Sequence, residues 1–371
     1  MKFKQFLSVV TWIILISLTG CTSETGKTVN IAGNVPMTGD LSTYGASIRD
    51  GSMLAKENLE DQYSIDLIFS WQDNSSQAKN AVNAMKKQFL QPVDIYVSGV
   101  KPQTMAIIDQ VEKKDVIHFA YLFDAFICED YENIFRTWFN YRDESELYLN
   151  YVDKINPTRV AIIYVNFPHA EEEFQKLVIP QLKKRGISDI YVEAYDWKKK
   201  DYKDIASKTK EFGPDLIMIN GFKNTIIGII QAFRSYDLIK DGNTIGTIDV
   251  LDAAEELSAQ TLEGIRVIAP TFNTRSDQRK IAEWRKHFYN KHGREPRYSD
   301  AYGYDMVNII YDAAEKLELP AEMSEWKDAL LDTDMEGITG HLEFDQYGDL
   351  KLSLEIGVYR NGKLEVEASV E

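Results

Sequence analysis

Apolar and polar positions along the 371-residue chain switch between two periods. Short runs rich in β-branched and aromatic residues at 29–35, 65–71, 94–98 and 116–120 read as strands. Between them the apolar spacing is helical. Residues 43–59 form one such segment, and Ala78, Ala81, Val82, Met85 and Phe89 follow the i, i+3, i+4, i+7 pattern of a second. Residues 103–113 give a third. The series then restarts with a continuous apolar strand at 159–165 and a helix at 170–185, which Pro180 is expected to kink. A strand at 190–195, a helix at 202–212, a strand at 215–219 and a helix at 224–236 follow. Runs at 245–251 and 265–269 predict two more strands, and 279–291 and 300–317 two late helices. The tail reads as β structure at 340–344, 351–359 and 363–370. It reverses at Asp345-Gln346-Tyr347-Gly348-Asp349 and at Arg360-Asn361-Gly362, where Asn-Gly is a hairpin signal.

Strands alternating with helices of this length predict parallel sheets covered on both faces. One large βα unit recurs twice, with no short solenoid repeat. The expected class is therefore α/β, with two doubly wound, Rossmann-like lobes and a β-rich tail. The length fits two or three domains. Sheets of this kind bind ligands beyond the carboxyl ends of their strands, at a switch point, where helix N-termini offer N–H donors. Two such sheets facing one another make a cleft that closes by hinge motion.

The first twenty residues read differently. Lys2 and Lys4 precede an apolar run at 6–18, and small residues lead to Cys21. That order is a secretory signal peptide, to be set apart from the fold. The run is 13 residues and includes Ser8 and Thr11. A bilayer span needs about 20. The junction Leu18-Thr19-Gly20-Cys21 resembles a bacterial lipoprotein box, which implies lipidation of Cys21 and a membrane anchor there, with 22–27 as a tether. Cys128, the one other cysteine, then has no disulfide partner. Its apolar neighbours Ala125-Phe126-Ile127 suit a small buried hydrophobe.

Charge narrows the partners. The formal net charge is −16, and loss of residues 1–20, which hold two lysines and no acid, takes it to −18. Nucleic acid is thereby excluded as the principal partner, because phosphate binding wants a basic footprint. Hydrophobic residues at 44% and charged residues at 27% are ordinary globular composition. The five histidines are scattered, and neither a His-Glu-x-x-His run nor paired Cys-x-x-Cys occurs. A dedicated metal site is not expected. There is no Gly-x-Ser-x-Gly elbow either, so neither an enzyme nor a cofactor is indicated.

The run Ile31-Ala32-Gly33-Asn34-Val35-Pro36-Met37-Thr38-Gly39-Asp40-Leu41-Ser42-Thr43-Tyr44-Gly45 resembles the opening of the leucine/isoleucine/valine-binding protein family. These are type I periplasmic substrate-binding proteins of ABC importers. The likeness continues through Arg49-Asp50-Gly51, Leu54-Ala55 and Asp73. Ile134-Phe135-Arg136-Thr137, Pro214-Asp215-Leu216-Ile217, Leu262-Glu263-Gly264-Ile265 and Ala301-Tyr302-Gly303-Tyr304-Asp305 extend it in the family's order. The resemblance implies discontinuous lobes joined by a three-segment hinge. Mapped here they are 28–138 with 270–336, and 139–269 with 337–371.

The same resemblance implies a ligand site. Tyr44 stands where the family places an aromatic residue over the ligand. In the loop Ser98-Gly99-Val100-Lys101-Pro102-Gln103-Thr104, Thr104 matches the carboxylate-gripping pattern of amino-acid binders, while Lys101, Pro102 and Gln103 replace its small hydroxyls. Lys101 is either a point charge for an anionic ligand or a solvated rim lysine. Tyr121, within Ala120-Tyr121-Leu122-Phe123-Asp124, adds bulk that suggests a narrower pocket. From the second lobe, His169 replaces a common tyrosine, Phe222 and Lys223 follow a strand, and Asp249 or Asp252 would hold a ligand ammonium. The implied function is capture of a small polar solute, an amino acid or amide-like, and its delivery to an ABC importer permease outside the cytoplasmic membrane. The alternative is the same fold used as a ligand sensor, or as a lipoprotein docking a cell-envelope enzyme.

Overall fold

The structure, a computed structural model, describes residues 27–367; the signal-like segment and Cys21 lie outside them. Strands β1 (Lys27–Val35), β2 (Ile65–Asp73), β3 (Ile95–Gly99), β4 (Ile117–Tyr121) and β5 (Ile134–Phe135) form a first, wholly parallel sheet in the order β2-β1-β3-β4-β5. Every residue of β3 and β4 is buried, as a sheet covered on both faces requires.

The second half repeats the plan. β6 (Arg159–Val165), β7 (Asp189–Tyr195), β8 (Leu216–Ile219), β9 (Thr244–Gly246) and β10 (Arg266–Pro270) pair in parallel. A small antiparallel hairpin, β11 (Asp334–Glu336) and β12 (His341–Glu343), follows. β13 (Leu354–Arg360) then adds antiparallel to β10, and β14 (Lys363–Val366) to β13, giving β14-β13-β10-β9-β8-β6-β7. Each sheet reverses strand order once among its parallel strands, between β1 and β3 and between β6 and β8.

Among the described residues two large hydrophobic cores result, with two smaller clusters around Tyr96 and Cys128. The first packs sheet one against the helices Ser42–Leu59 and Tyr298–Glu315; the second surrounds β6–β10. The two helices of the first core approach closely because Gly51 and Gly303 lack side chains: a Cβ on either would collide with the backbone of Asp300 or Ile48. The chain passes from one core to the other after Phe139, between Ala269 and Phe272, and after Leu350. In the tail the packing changes later than residue 337, because Ile338, Leu342, Phe344 and Leu350 all belong to the first core.

Several elements differ from the sequence reading. The segment at 103–113 is two short helices, Lys101–Met105 and Ile108–Glu112. Residues 245–251 are not one strand. After Gly246 the Thr247 N–H still bonds the Ile219 carbonyl (3.1 Å), but Val250 and Leu251 N–H bond Thr247 and Ile248, opening the helix Asp249–Ala254. The helix near 170–185 starts at Pro168 and widens into a π turn over Glu173–Val178 before Ile179–Lys184. Pro180 removes the N–H that would bond the Lys176 carbonyl, and the wider turns stand just ahead of it. Among the described helices of nine or more residues, two escaped the reading. Met323–Leu331 is one, and Tyr141–Ile155, capped by Asn140 Oδ1 on the N–H groups of Arg142 (2.9 Å) and Asp143 (3.1 Å), is the other.

Candidate ligand-binding cleft

The two switch points face one another across the lobes. Residues after β1 and β3 (Leu41, Tyr44, Val100, Lys101) meet residues after β6, β8 and β9 (Phe167, His169, Phe222, Asp249) around a partly open cavity of about 60 Å³. Tyr121, Phe123 and Trp138 complete its aromatic wall. A larger, open groove of about 900 Å³ runs between 273–278 and β14. It holds none of the residues that the switch points present, and the smaller cavity is the candidate site. An engineered cavity of about 150 Å³ takes benzene, so a solute larger than a few heavy atoms requires the lobes to separate or side chains to shift.

Tyr44 and Asp249, predicted separately from opposite lobes, touch: the Tyr44 hydroxyl donates to Asp249 Oδ1 at 3.0 Å. Asp249 is 7% exposed, and burial next to Asp252 raises its pKa to about 7. Tyr44 is half-buried, and the same burial and the two aspartates push its phenol up. Asp252 lies off the cavity wall; burial lifts it to about 6, against the pull of the Arg297 guanidinium 3.9 Å away.

His169 does line the cavity. Its ring stacks on Phe123 of the other lobe (5.2 Å between centroids, 17°) and meets Phe167 edge-on at 5.4 Å, with Phe222 at 6.3 Å. Burial and the Lys101 charge lower its pKa to about 4, so it is neutral at physiological pH. Lys101 points to a carboxylate of its own, Asp124, in an ion pair at the cavity edge. Lys223 is bound to Glu255 and Glu256 (3.0 Å each), away from the wall. Tyr121 is buried, donating to the Tyr302 carbonyl (3.4 Å) and accepting from Thr137 (3.2 Å).

Gln103 and Thr104 are not brought to the cavity. The short helix turns both inward against the sheet, and Thr104 joins a buried chain: Thr104 Oγ1 to Ser98 Oγ at 2.9 Å, and Ser98 Oγ to His118 Nε2 at 2.7 Å. His118 has no charge to offer, because burial lowers its pKa to about 3. The loop ahead of that helix has few donors for an anion. Val100 N–H is spent on the Tyr121 carbonyl (3.1 Å), and Pro102 has none. Val100 adopts φ 74°, a left-handed conformation that is an outlier for a β-branched residue, and it does so on the cavity wall. Strain of this kind collects at ligand clamps.

The reading missed a set of acids behind the wall. Glu144, on the helix Tyr141–Ile155, accepts the Ile248 N–H at 3.2 Å, and burial with Asp249 nearby raises its pKa to about 8. Glu173 is 1% exposed with no hydrogen bond to either carboxylate oxygen. Burial, then Glu144 and Asp249, push it far above the ordinary range. A signal existed: Glu173 falls four residues after His169 on a helix face otherwise made of Ala170, Phe174 and Val178. Cys128 behaves as expected, buried with its thiol pushed up by burial.

A family of periplasmic binding proteins matches residues 28–349. The chain belongs to the periplasmic binding protein family. Its two-lobed fold is that of the branched-chain amino-acid binders. The LivJ substrate-binding protein of Streptococcus pneumoniae, solved with isoleucine, superposes with a TM-score of 0.78 at 21% identity, over 92% of this chain and 99% of that one. The leucine-binding protein LivK of Thermotoga maritima gives 0.76 at 18%, over 92% and 98%. A solute-binding protein of an ABC transporter from Rhodopseudomonas palustris, solved with 3,4-dihydroxybenzoic acid, gives 0.80 at 17%, over 92% and 96%. Among curated protein sequences no match is found. The relatives share architecture while their ligands differ in chemistry.

Proposed function

We propose that this protein is a lipid-anchored, extracytoplasmic solute-binding protein of an ABC importer. It closes its two lobes on a small solute and releases it unaltered to a permease. The observation that carries this reading is the cavity walled from both lobes at their two switch points and bridged by the Tyr44–Asp249 hydrogen bond. The bridge ties closure to the site: a solute that reaches Asp249 competes with, or joins, the contact holding the lobes together. The wall is mostly aromatic and carries one buried carboxylate, which suits a solute with an apolar body and a nitrogen donor, as in an amino acid, an amide or an amine.

Lobe one comprises the first sheet with its late helices and the 338–350 segment, and lobe two the second sheet. Cys21 is the lipid attachment point, and the anchor holds a strongly acidic body at the membrane surface. Thermal unfolding against a library of small solutes tests the capture step. A ligand at a hundredfold excess over its dissociation constant adds about 2.7 kcal/mol to stability. No shift with any solute favours the docking role instead. Small-angle scattering tests the hinge, with compaction at saturation as the expected result and an unchanged profile counting against closure. Metabolic labelling with a palmitate analogue, lost in Cys21→Ala, tests the anchor.

A further inference from the structure

Buried charge beside the cleft does not balance. Asp249 accepts from Tyr44 (3.0 Å) and from Thr247 at the long distance of 3.5 Å, and among the described residues no cationic side chain is bonded to it. Glu144 accepts one backbone N–H. Glu173, with both oxygens buried, accepts nothing. The helices carrying Glu144 and Glu173 pack together, with Tyr148 against Phe174 at 5.7 Å, and the Glu173 backbone is where the helix widens into its π turn, a feature frequent at functional sites.

The neighbouring charges offer no remedy. Lys101 is held by Asp124, Arg297 faces Asp252 and Glu255, Lys223 is bound by Glu255 and Glu256, and His169 is neutral. Asp143 adds negative charge beside Glu144, and two cations on these helices are engaged elsewhere, Arg142 with Glu129 and Asp349 and Lys176 with Glu172. Above the acids the wall is Tyr44, Tyr121, Phe123, Trp138, Phe167 and Phe222. Aromatic faces attract organic cations, and more strongly once these are desolvated. A carboxylate-bearing solute meets the reverse: a loop whose Val100 N–H is used, a proline without one, a lysine already paired, and three buried acids whose ionisation its own negative charge would oppose.

We propose that the cleft selects compact organic cations, amines or N-methylated ammonium ions with an apolar body and no carboxylate, seated against Asp249 with Glu173 and Glu144 supplying the balancing field. This rests on the solute-binding reading and narrows it. Glu173 is off the cavity wall and acts through Asp249 and the cation as a positioning group.

The full chain is titrated calorimetrically with phenethylamine, choline, isoleucine and 4-hydroxybenzoate, each in phosphate and in Tris at pH 7.5. The expected result is binding of at least one cation tenfold or more tighter than either carboxylate-bearing solute. Because the acids must be ionised to hold it, binding releases protons, seen as a buffer-dependent heat, and affinity rises from pH 6 to 8. Glu173→Gln should weaken the cation at least tenfold and diminish the proton release, with the circular dichroism spectrum and thermal midpoint showing that it folds; Asp249→Asn should weaken it further. Tighter binding of isoleucine or 4-hydroxybenzoate overturns the inference and leaves the solute-binding reading standing. Proton uptake on cation binding also overturns it. Binding of none of the four, together with no thermal shift across the wider solute library, overturns both.

Discussion

Two of the groups of buried charge in this molecule have opposite surroundings. Arg136 has no exposed side-chain surface. Its Nε donates to Asp349 Oδ1 at 2.7 Å, its Nη2 pairs with the other oxygen, and its Nη1 bonds the carbonyls of Leu122 (3.1 Å) and Asp124. Asn140 adds a contact to Asp349 at 3.4 Å. The group ties the strand-end segment at Arg136 to the tail, where the Arg136 N–H also bonds the Gly348 carbonyl at 2.9 Å. Glu144, Glu173 and Asp249 have no such partner among the described residues. Fully matched charge beneath the passage between lobes is architecture. Unmatched charge beneath a cavity is a standing demand for a proton or a cation.

The largest effect should come from breaking the matched group. Arg136→Met leaves Asp349 buried with only the longer contacts to Arg142 (3.7 Å) and Asn140 (3.4 Å), and is expected to cost about 3–5 kcal/mol in denaturant unfolding. Adding Asp349→Leu should recover much of that loss, and a single variant within 1 kcal/mol of the parent would place the pair among the dispensable contacts. The unmatched group should respond in the other direction. Glu173→Gln removes a carboxyl that the folded chain must keep protonated or bury as a bare charge, and is expected to stabilise by about 2 kcal/mol at pH 8 and by less at pH 5.

The pH dependence of the parent follows from the same acids. Folding raises Asp249 to about 7, Asp252 to about 6 and Glu144 to about 8, all from ordinary carboxylate values near 4. Between those limits the folded chain holds protons that the unfolded chain has shed. Their stability contribution is therefore fully present below about pH 4 and is lost as pH rises toward 8. The thermal midpoint should fall between pH 5 and 8, and Glu173→Gln should flatten the slope. A midpoint that climbs over this range would mean the acids find partners in solution. Tyr44→Phe should have the smallest effect on stability, about 1 kcal/mol or less for one hydrogen bond. It should nevertheless open the lobes detectably in small-angle scattering, because that bond joins them.

The strand framework was legible because buried parallel strands read as continuous apolar runs. Helix Tyr141–Ile155 was not, although Tyr141, Ser145, Tyr148 and Val152 mark its buried face. The polar run Arg142-Asp143-Glu144-Ser145-Glu146 hides the stripe, and one of its acids turns inward. In the site, the family resemblance rather than spacing pointed to Tyr44, Lys101, His169, Phe222 and Asp249, and these five line one cavity. Gln103 and Thr104 do not, since which side of a five-residue helix faces the sheet depends on where it begins. Nor could spacing show that Asp124, twenty-three residues away, takes the Lys101 charge, or that Glu144 and Glu173 converge on Asp249.

The glycine contact between the long helices of the first lobe reaches further than packing. Tyr44 sits in the opening turn of one helix, and Tyr298 begins the other, buried at the back of the cleft with its phenol coupled electrostatically to that of Tyr44. With hydrogen alone separating the backbones at Gly51 and Gly303, the pair behaves as one lever, and the tyrosines travel together. A methyl group at either glycine would wedge the lever apart and detune the grip from two turns away, without altering any residue that a ligand touches.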